Sequence, residues 1–225
     1  MGAKVQEPSL MEVFRRLLEA YGSQRWWPAE SAFEVIVGAI LTQAASWRNV
    51  EKAIASLKAA GVFSPEGLRR VPLEELAGLI RSAGYFNAKA RKLKAFMEHV
   101  GQAYQDDLRV MFSHEPAELR EELLSIYGVG EETADDILLY AGRLPFFVVD
   151  AYTRRIFRRL RLGPDEEGYE PWQRFFMSRL RRDVRLFNEY HALLVHHGKD
   201  RCRKAPRCGG CPLLDVCATG QAQVS

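Results

Sequence analysis

The chain is short of several things, and each shortage removes a class of protein. No apolar run reaches the length of a bilayer-spanning helix, so no membrane partner is expected. The opening MGAKVQEPSLMEVF has no apolar core of the kind that marks a secretory leader, which makes an intracellular, cytoplasmic protein the expectation. Alternation of apolar and polar residues is sustained nowhere, no internal repeat is present, and no GxGxxG follows a strand-like run. An all-α fold is expected on that ground, and a dinucleotide-binding domain is excluded. Cysteine is absent until Cys202, and all 4 fall between there and Cys217. A scattered disulfide framework is thereby excluded, and a reducing compartment fits. Charge of one sign is also lacking: 32 basic and 29 acidic side chains leave a net +3, which alone does not announce a nucleic-acid binder.

What is present is helical periodicity. A chain of 225 residues with 47% apolar content can hold one large core or two small ones. Residues 9–21 place Leu10, Val13, Phe14, Leu17 and Leu18 on one face. The loop Gly22 to Pro28 follows, with Trp26, Trp27 and Pro28 in succession. Adjacent side chains on a helix point about 100° apart, so both indoles are buried only in a loop or between elements. They are either core or an aromatic wall that stacks on a base. Residues 31–47 read as a strongly apolar helix capped by Ser31 and ending near Gln43, with Trp47 just beyond. The segment 50–79 reads as two short helices broken by Gly61, Pro65 and Pro72, and 89–104 as a basic-faced helix. Later helices are expected over 151–161 and in the stretch carrying Trp172, Phe175, Phe176, Phe187 and Tyr190, aromatics whose helical spacing marks them as core.

Chemistry concentrates between Ile126 and Arg159. Gly128 and Gly130 sit in a short turn between helix-like segments at 116–125 and 131–141. Glycines there permit positive φ and leave nothing projecting between main-chain N–H groups and an approaching phosphate. Thr133 can add a hydroxyl to the same anion. An apolar run from Leu144 to Val149 then delivers Asp150, followed by an arginine-rich helix. Each piece also has a plain reading, a tight turn and an N-cap. Arg154, Arg155, Arg158, Arg159 and Arg161 form one basic cluster, and Arg179, Arg181, Arg182 and Arg185 another; they are either solvated faces or contacts to a nucleic-acid backbone.

The tail carries C-x5-C-x2-C-x5-C on Cys202, Cys208, Cys211 and Cys217. Four soft thiolates in one loop close around zinc or an iron–sulfur cubane, and their number does not separate the two. Zinc ribbons usually pair two CxxC knuckles, and only Cys208 to Cys211 has that spacing.

Taken together, the GVG hairpin, Asp150 and the cysteine loop resemble the helix-hairpin-helix DNA glycosylases of the endonuclease III superfamily, from about Trp26 to Cys217. The resemblance implies a two-lobed helix-hairpin-helix fold with a C-terminal iron–sulfur cluster loop. A six-helix domain would span 25–132, and 1–24 plus 133–225 would form the cluster domain. It implies a monomer acting on double-stranded DNA that contains damaged bases, and a 4Fe-4S cluster on the four cysteines, although the first gap is one residue shorter than the family's C-x6-C. The cluster would be structural, turning Arg203, Lys204 and Arg207 toward DNA. Gln43 would fill the gap left by an extruded base, Tyr85 in SAGYFNAKA would wedge into the opposite strand, and Asn87 and Lys89 would approach phosphates. Gly128, Gly130 and Thr133 would bind phosphate, and Asp150 would be the essential carboxylate.

Lyase-competent members place a lysine two residues after the second hairpin glycine, where this chain has Glu132. The resemblance is closest to the 3-methyladenine DNA glycosylases, through WWP, LTQ with Trp47, GYFNAKA and Glu132. It implies hydrolysis without an imine, a base pocket of Trp26, Trp27, Pro28 and Trp47, and Glu132 at its floor or rim. Asp135 and Asp136 are rival carboxylates that rank below Asp150 because acids in a first helical turn serve readily as caps. A uracil or thymine mismatch glycosylase, a bifunctional glycosylase with AP lyase activity, and a damage-recognising module without catalysis remain as alternatives.

Overall fold

The computed structural model of the protein describes residues 7–224. Every regular element among them is helical. The chain separates into two compact units: Met1–Trp26 with Pro145–Ser225, and Trp27–Leu144. No described helix is long and apolar enough to cross a membrane.

The chain opens with α1 (Leu10–Tyr21), which belongs to the first unit and is capped by Ser9 Oγ accepting from the Glu12 N–H. The second unit begins with α2 (Ala32–Leu41), in which Val35, Ile36, Val37, Ala39, Ile40 and Leu41 are all buried. A helix apolar on every side has to be interior. It stops at Leu41, close to the expected end near Gln43, because Ala44 takes a left-handed φ of 53° and Ser46 starts a new helix, α3 (Trp47–Ala59). Two further helices, α4 (Pro65–Arg70) and α5 (Leu73–Leu79), follow where the proline spacing suggested interruption. Pro65 is the first residue of α4 and Pro72 caps α5, since a missing N–H costs nothing at a helix start. The long α6 (Phe86–Tyr104) begins before residue 89, at a left-handed Tyr85, and α4 and α5 both pack against it. After the short α7 (Leu108–Met111) come α8 (Pro116–Ser125) and α9 (Glu131–Asp136). The latter continues as a π-helical turn, Ile137–Ala141.

The first unit is completed by α10 (Ala151–Arg159), α11 (Glu170–Met177), α12 (Val184–Asp200) and α13 (Ala218–Val224). Its core is aromatic: Phe147 stacks on Phe176 with centroids 4.2 Å apart, and Phe157, Phe187 and Tyr190 surround the pair edge-on. Helix α1 is fixed to α12 by the Tyr190 hydroxyl donating to the Leu10 carbonyl at 2.7 Å. The extended segment Phe147–Val149 runs fully buried through this core. Its backbone is satisfied by side chains, with Gln173 donating to Phe147 O at 3.0 Å and the Val149 N–H donating to the Tyr169 hydroxyl at 3.2 Å. A buried strand-like segment without a sheet needs such partners.

Candidate functional site

Within Trp27–Leu144 the glycine turn joins α8 to α9. Only Gly128 uses the left-handed region, at φ 84°, and a Cβ there would overlap the Lys92 side chain. Gly130 is extended, and a methyl group at that position would meet nothing within 4 Å, so its contribution is open space over the first turn of α9. The expectation that both glycines exploit positive φ therefore holds for one. Gln43 is turned to this hairpin: its Nε2 donates to Gly128 O at 3.1 Å and to Thr133 Oγ1 at 2.9 Å, and its Oε1 accepts from Lys92 Nζ at 2.5 Å. Thr133 is 6% exposed, so its hydroxyl anchors Gln43 and is not presented outward to an anion.

Arg120 of α8 grips Asp135 of α9 through two hydrogen bonds, 2.8 and 3.2 Å, with Asp135 wholly buried. That pairing clamps the two hairpin helices and gives Asp135 a structural task. Asp136 is also buried, at 6% exposure, whereas Glu132 lies exposed in the first turn of α9.

Lys89 corrects its expected role. It is 2% exposed, and its ammonium donates to Leu41 O and Ala83 O, both at 2.8 Å, closing the C-terminus of α2. A cation held by two interior carbonyls is not available to a phosphate, and burial, aided by Lys92, lowers its pKa to about 8. Tyr85, by contrast, is 74% exposed, and Asn87 is exposed beside it at the start of α6.

An aromatic corner forms in the same unit. Trp27 meets Trp47 edge-on with centroids 5.3 Å apart, and Tyr140, on the π-helical turn, lies 5.2 Å from Trp27. Gly38 of α2 sits under both indoles, its missing Cβ leaving 3.3 Å to Trp47 and 3.4 Å to Trp27. Tyr140 and Gly38 were not singled out from the sequence; a lone glycine inside an apolar helix is the signal that pointed to such close packing. Pro28 is exposed next to Trp27. Trp26 belongs to the other unit, where Lys199 lies over its ring at 5.8 Å.

In that unit Asp150 caps α10: Oδ1 accepts from the Thr153 N–H at 2.7 Å. The residue is 8% exposed, and its Oδ2 stands 3.7 Å from Nε2 of His191 on α12, itself 5% exposed. Burial works to raise the Asp150 pKa; His191 together with the Thr153 N–H and hydroxyl outweighs it and leaves the carboxyl below its ordinary value. The site thus holds an anion in an interior position, which is the state a catalytic base requires.

The arginines of α10 also differ from expectation. Arg155 donates to Cys202 O at 2.8 Å and Gly198 O at 2.9 Å, and Arg159 to Arg203 O at 2.6 Å and Lys204 O at 2.9 Å. These carbonyls at and beyond the end of α12 lack helical partners, so two members of the basic cluster latch the cysteine loop in place of contacting a nucleic acid. Arg158 pairs with Glu167 at 2.7 Å. Arg203, Lys204 and Arg207 remain exposed.

All four cysteines line one cavity, walled by Ile156, Leu160, Leu213 and Leu214. N–H groups approach two of the sulfurs, Arg159 at 3.2 Å from Cys202 and Gly220 at 3.3 Å from Cys217, and His197 Nε2 lies 3.8 Å from Cys211. Burial raises the Cys211 and Cys217 thiols, with the other cysteines adding to the rise, so thiolates here call for a cationic group among them. Among the described residues no three His, Cys, Asp or Glu side chains converge as ligands for a single ion. The shared cavity, its sulfur donors and its N–H lining fit a multinuclear group of the kind that bridges spaced thiolates.

Comparison with known proteins agrees with this construction. The profile of the family described as HhH-GPD superfamily base excision DNA repair protein matches residues 37–182. A protein of Methanocaldococcus jannaschii, provisionally named a DNA repair glycosylase, is 43% identical over 92% of this chain and 95% of its own length. Endonuclease III of Sulfolobus acidocaldarius is 29% identical, covering 83% of this chain and 82% of its own. Among solved structures, a non-covalent endonuclease III–DNA complex matches with a TM-score of 0.80 at 22% identity, over 94% of this chain and 95% of that one, a likeness of fold. With the hairpin, the buried carboxylate and the cysteine loop already in place, the chain belongs to the HhH-GPD superfamily of base excision DNA repair proteins and is a DNA glycosylase of that family.

Proposed function

We propose that the protein is a monofunctional DNA glycosylase that hydrolyses the N-glycosidic bond of alkylated purines such as 3-methyladenine in duplex DNA after base flipping. The observation that carries the reading is Glu132, exposed in the first turn of α9 where lyase-competent members of the resembling family have lysine. A carboxylate cannot form an imine with the sugar. What remains is Asp150, held as an anion, which can deprotonate a water or stabilise the oxocarbenium-like sugar as the base departs. Such chemistry suits a base that already leaves well, and alkylation at N3 or N7 gives a purine positive charge. Indole faces at Trp27 and Trp47 favour a flat, electron-poor base through stacking and cation–π attraction, and Trp26 and Pro28 are assigned to the same task. Gly128 and Gly130 serve the phosphate backbone, and the exposed Tyr85 and Asn87 suit a wedge and a backbone contact.

Cys202, Cys208, Cys211 and Cys217 are assigned to a 4Fe-4S cluster. When bound, it would supply a structural staple for the tail, with Arg155 and Arg159 holding the surrounding loop.

Purified protein incubated with methylated duplex DNA is expected to release free 3-methyladenine. Asp150→Asn should lower that rate on the order of 10³-fold, with duplex affinity kept within about tenfold because phosphate contacts carry most of it. Release of uracil or thymine from mismatched duplexes in place of methylated purines would replace the substrate class. A borohydride-trapped covalent adduct would overturn the monofunctional reading, and DNA binding with no base release from any substrate would leave a recognition module.

A further inference from the structure

The carboxylate of Asp150 has two oxygens, and α10 accounts for only one of them. Oδ1 is fixed by the Thr153 N–H at 2.7 Å. Oδ2 faces α12, where His191 Nε2 stands 3.7 Å away, beyond a direct hydrogen bond but within an ion pair. Both side chains are almost fully buried, so the approach is not a loose surface contact. The helix that carries the imidazole is itself anchored: Tyr190, next in sequence, is buried in the aromatic core and tied to Leu10 O at 2.7 Å, and Phe187, one turn earlier, packs edge-on against Phe147.

We infer that His191 is a positioning residue for the reaction, fixing the orientation of the Asp150 carboxylate and holding its negative charge in place without touching the substrate. The inference rests on the reading that Asp150 acts in catalysis. An interior anion against apolar walls is driven to take up a proton. A histidine on the interior side opposes this, forming an ion pair whenever it carries its second proton. Two other groups bear on the Asp150 charge. Thr153 belongs to α10, and Lys199, exposed and further along α12, couples to it electrostatically. Lys199 also lies over Trp26, so it is partly committed elsewhere.

The sign of the effect follows from the chemistry. Asp150 works as the carboxylate, so activity is present above its pKa and lost as pH falls through it. Without His191, burial raises that pKa, and the acid limb of the pH–rate profile moves to higher pH. The experiment measures two things on His191→Gln, His191→Phe and Lys199→Met in the full chain. One is the Asp150 carboxyl pKa by NMR titration of carboxyl-labelled protein; the other is single-turnover base release from methylated duplex DNA between acidic and neutral pH. His191→Phe is expected to raise the Asp150 pKa by about one unit, which is about tenfold in rate on the acid limb. His191→Gln, which keeps an N–H without the charge, is expected to shift it less, with the fold and duplex affinity retained; it serves alone if the Phe variant does not fold. An unmoved Asp150 pKa in both His191 variants, or a larger shift from Lys199→Met, overturns the inference. A moved pKa with Asp150→Asn fully active would instead sink the catalytic reading and leave the pair as a core contact.

Discussion

The two units share direct side-chain ties to the backbone but differ in what fills and closes them. In Trp27–Leu144 the interior polar ties run directly from side chain to backbone or to another side chain: Lys89 to two carbonyls, Gln43 to the glycine turn, Arg120 to Asp135. In the other unit the core is a block of aromatic rings, and the polar tail is gathered around four thiols. The difference teaches that the hairpin is preorganised by amino acids alone, whereas the tail following α12, on the proposed cluster assignment, would depend on a group that the sequence does not encode.

Cys202→Ser tests that asymmetry most severely. If the tail is stapled by a cluster, the variant should lose the visible absorbance of iron–sulfur charge transfer and destabilise its own unit by about 4 kcal/mol or more, with hydrogen-exchange protection retained in α2 and α6. Equal loss of protection in both units would break the comparison. Arg120→Ala should act on the other unit, leaving the fully buried Asp135 without its cation, at a cost of about 3 kcal/mol in urea denaturation.

The glycines sharpen the contrast within the hairpin. Gly128→Ala should cost about 2 kcal/mol, since a left-handed φ of 84° strains any L-residue and the methyl meets Lys92. Gly130→Ala should stay within about 0.5 kcal/mol, because its extended backbone admits alanine, and its effect should appear as weaker duplex binding. The smallest change in stability belongs to Tyr85→Ala. At 74% exposure it should lose less than about 0.5 kcal/mol, while base release from duplex DNA falls; a large drop in melting temperature would show the ring to be packed, not poised.

Local features were legible before any coordinates. Helix α8 occupies the expected 116–125, and the aromatic core around Phe176 and Tyr190 follows from helical spacing. The breaks at Gly61, Pro65 and Pro72 were legible too, but they separate three helices where two were expected, because Pro65 and Pro72 each open a helix of their own. Lys89, by contrast, misled. Nothing in the run NAKARKLK distinguishes the lysine that folds inward from those that do not, because the carbonyls it satisfies come from Leu41 and Ala83. His191 and Arg120 were illegible for the same cause, their partners lying on other helices.

The π-helical turn at Ile137–Ala141 has a consequence of its own. Such a turn accommodates one residue more than an α-helical turn, so removing a single residue there would regularise the spiral and turn the side chains of that segment about the helix axis. Tyr140 would then be carried off the flank of Trp27, and an aromatic nook would be dismantled by a deletion that removes none of its rings.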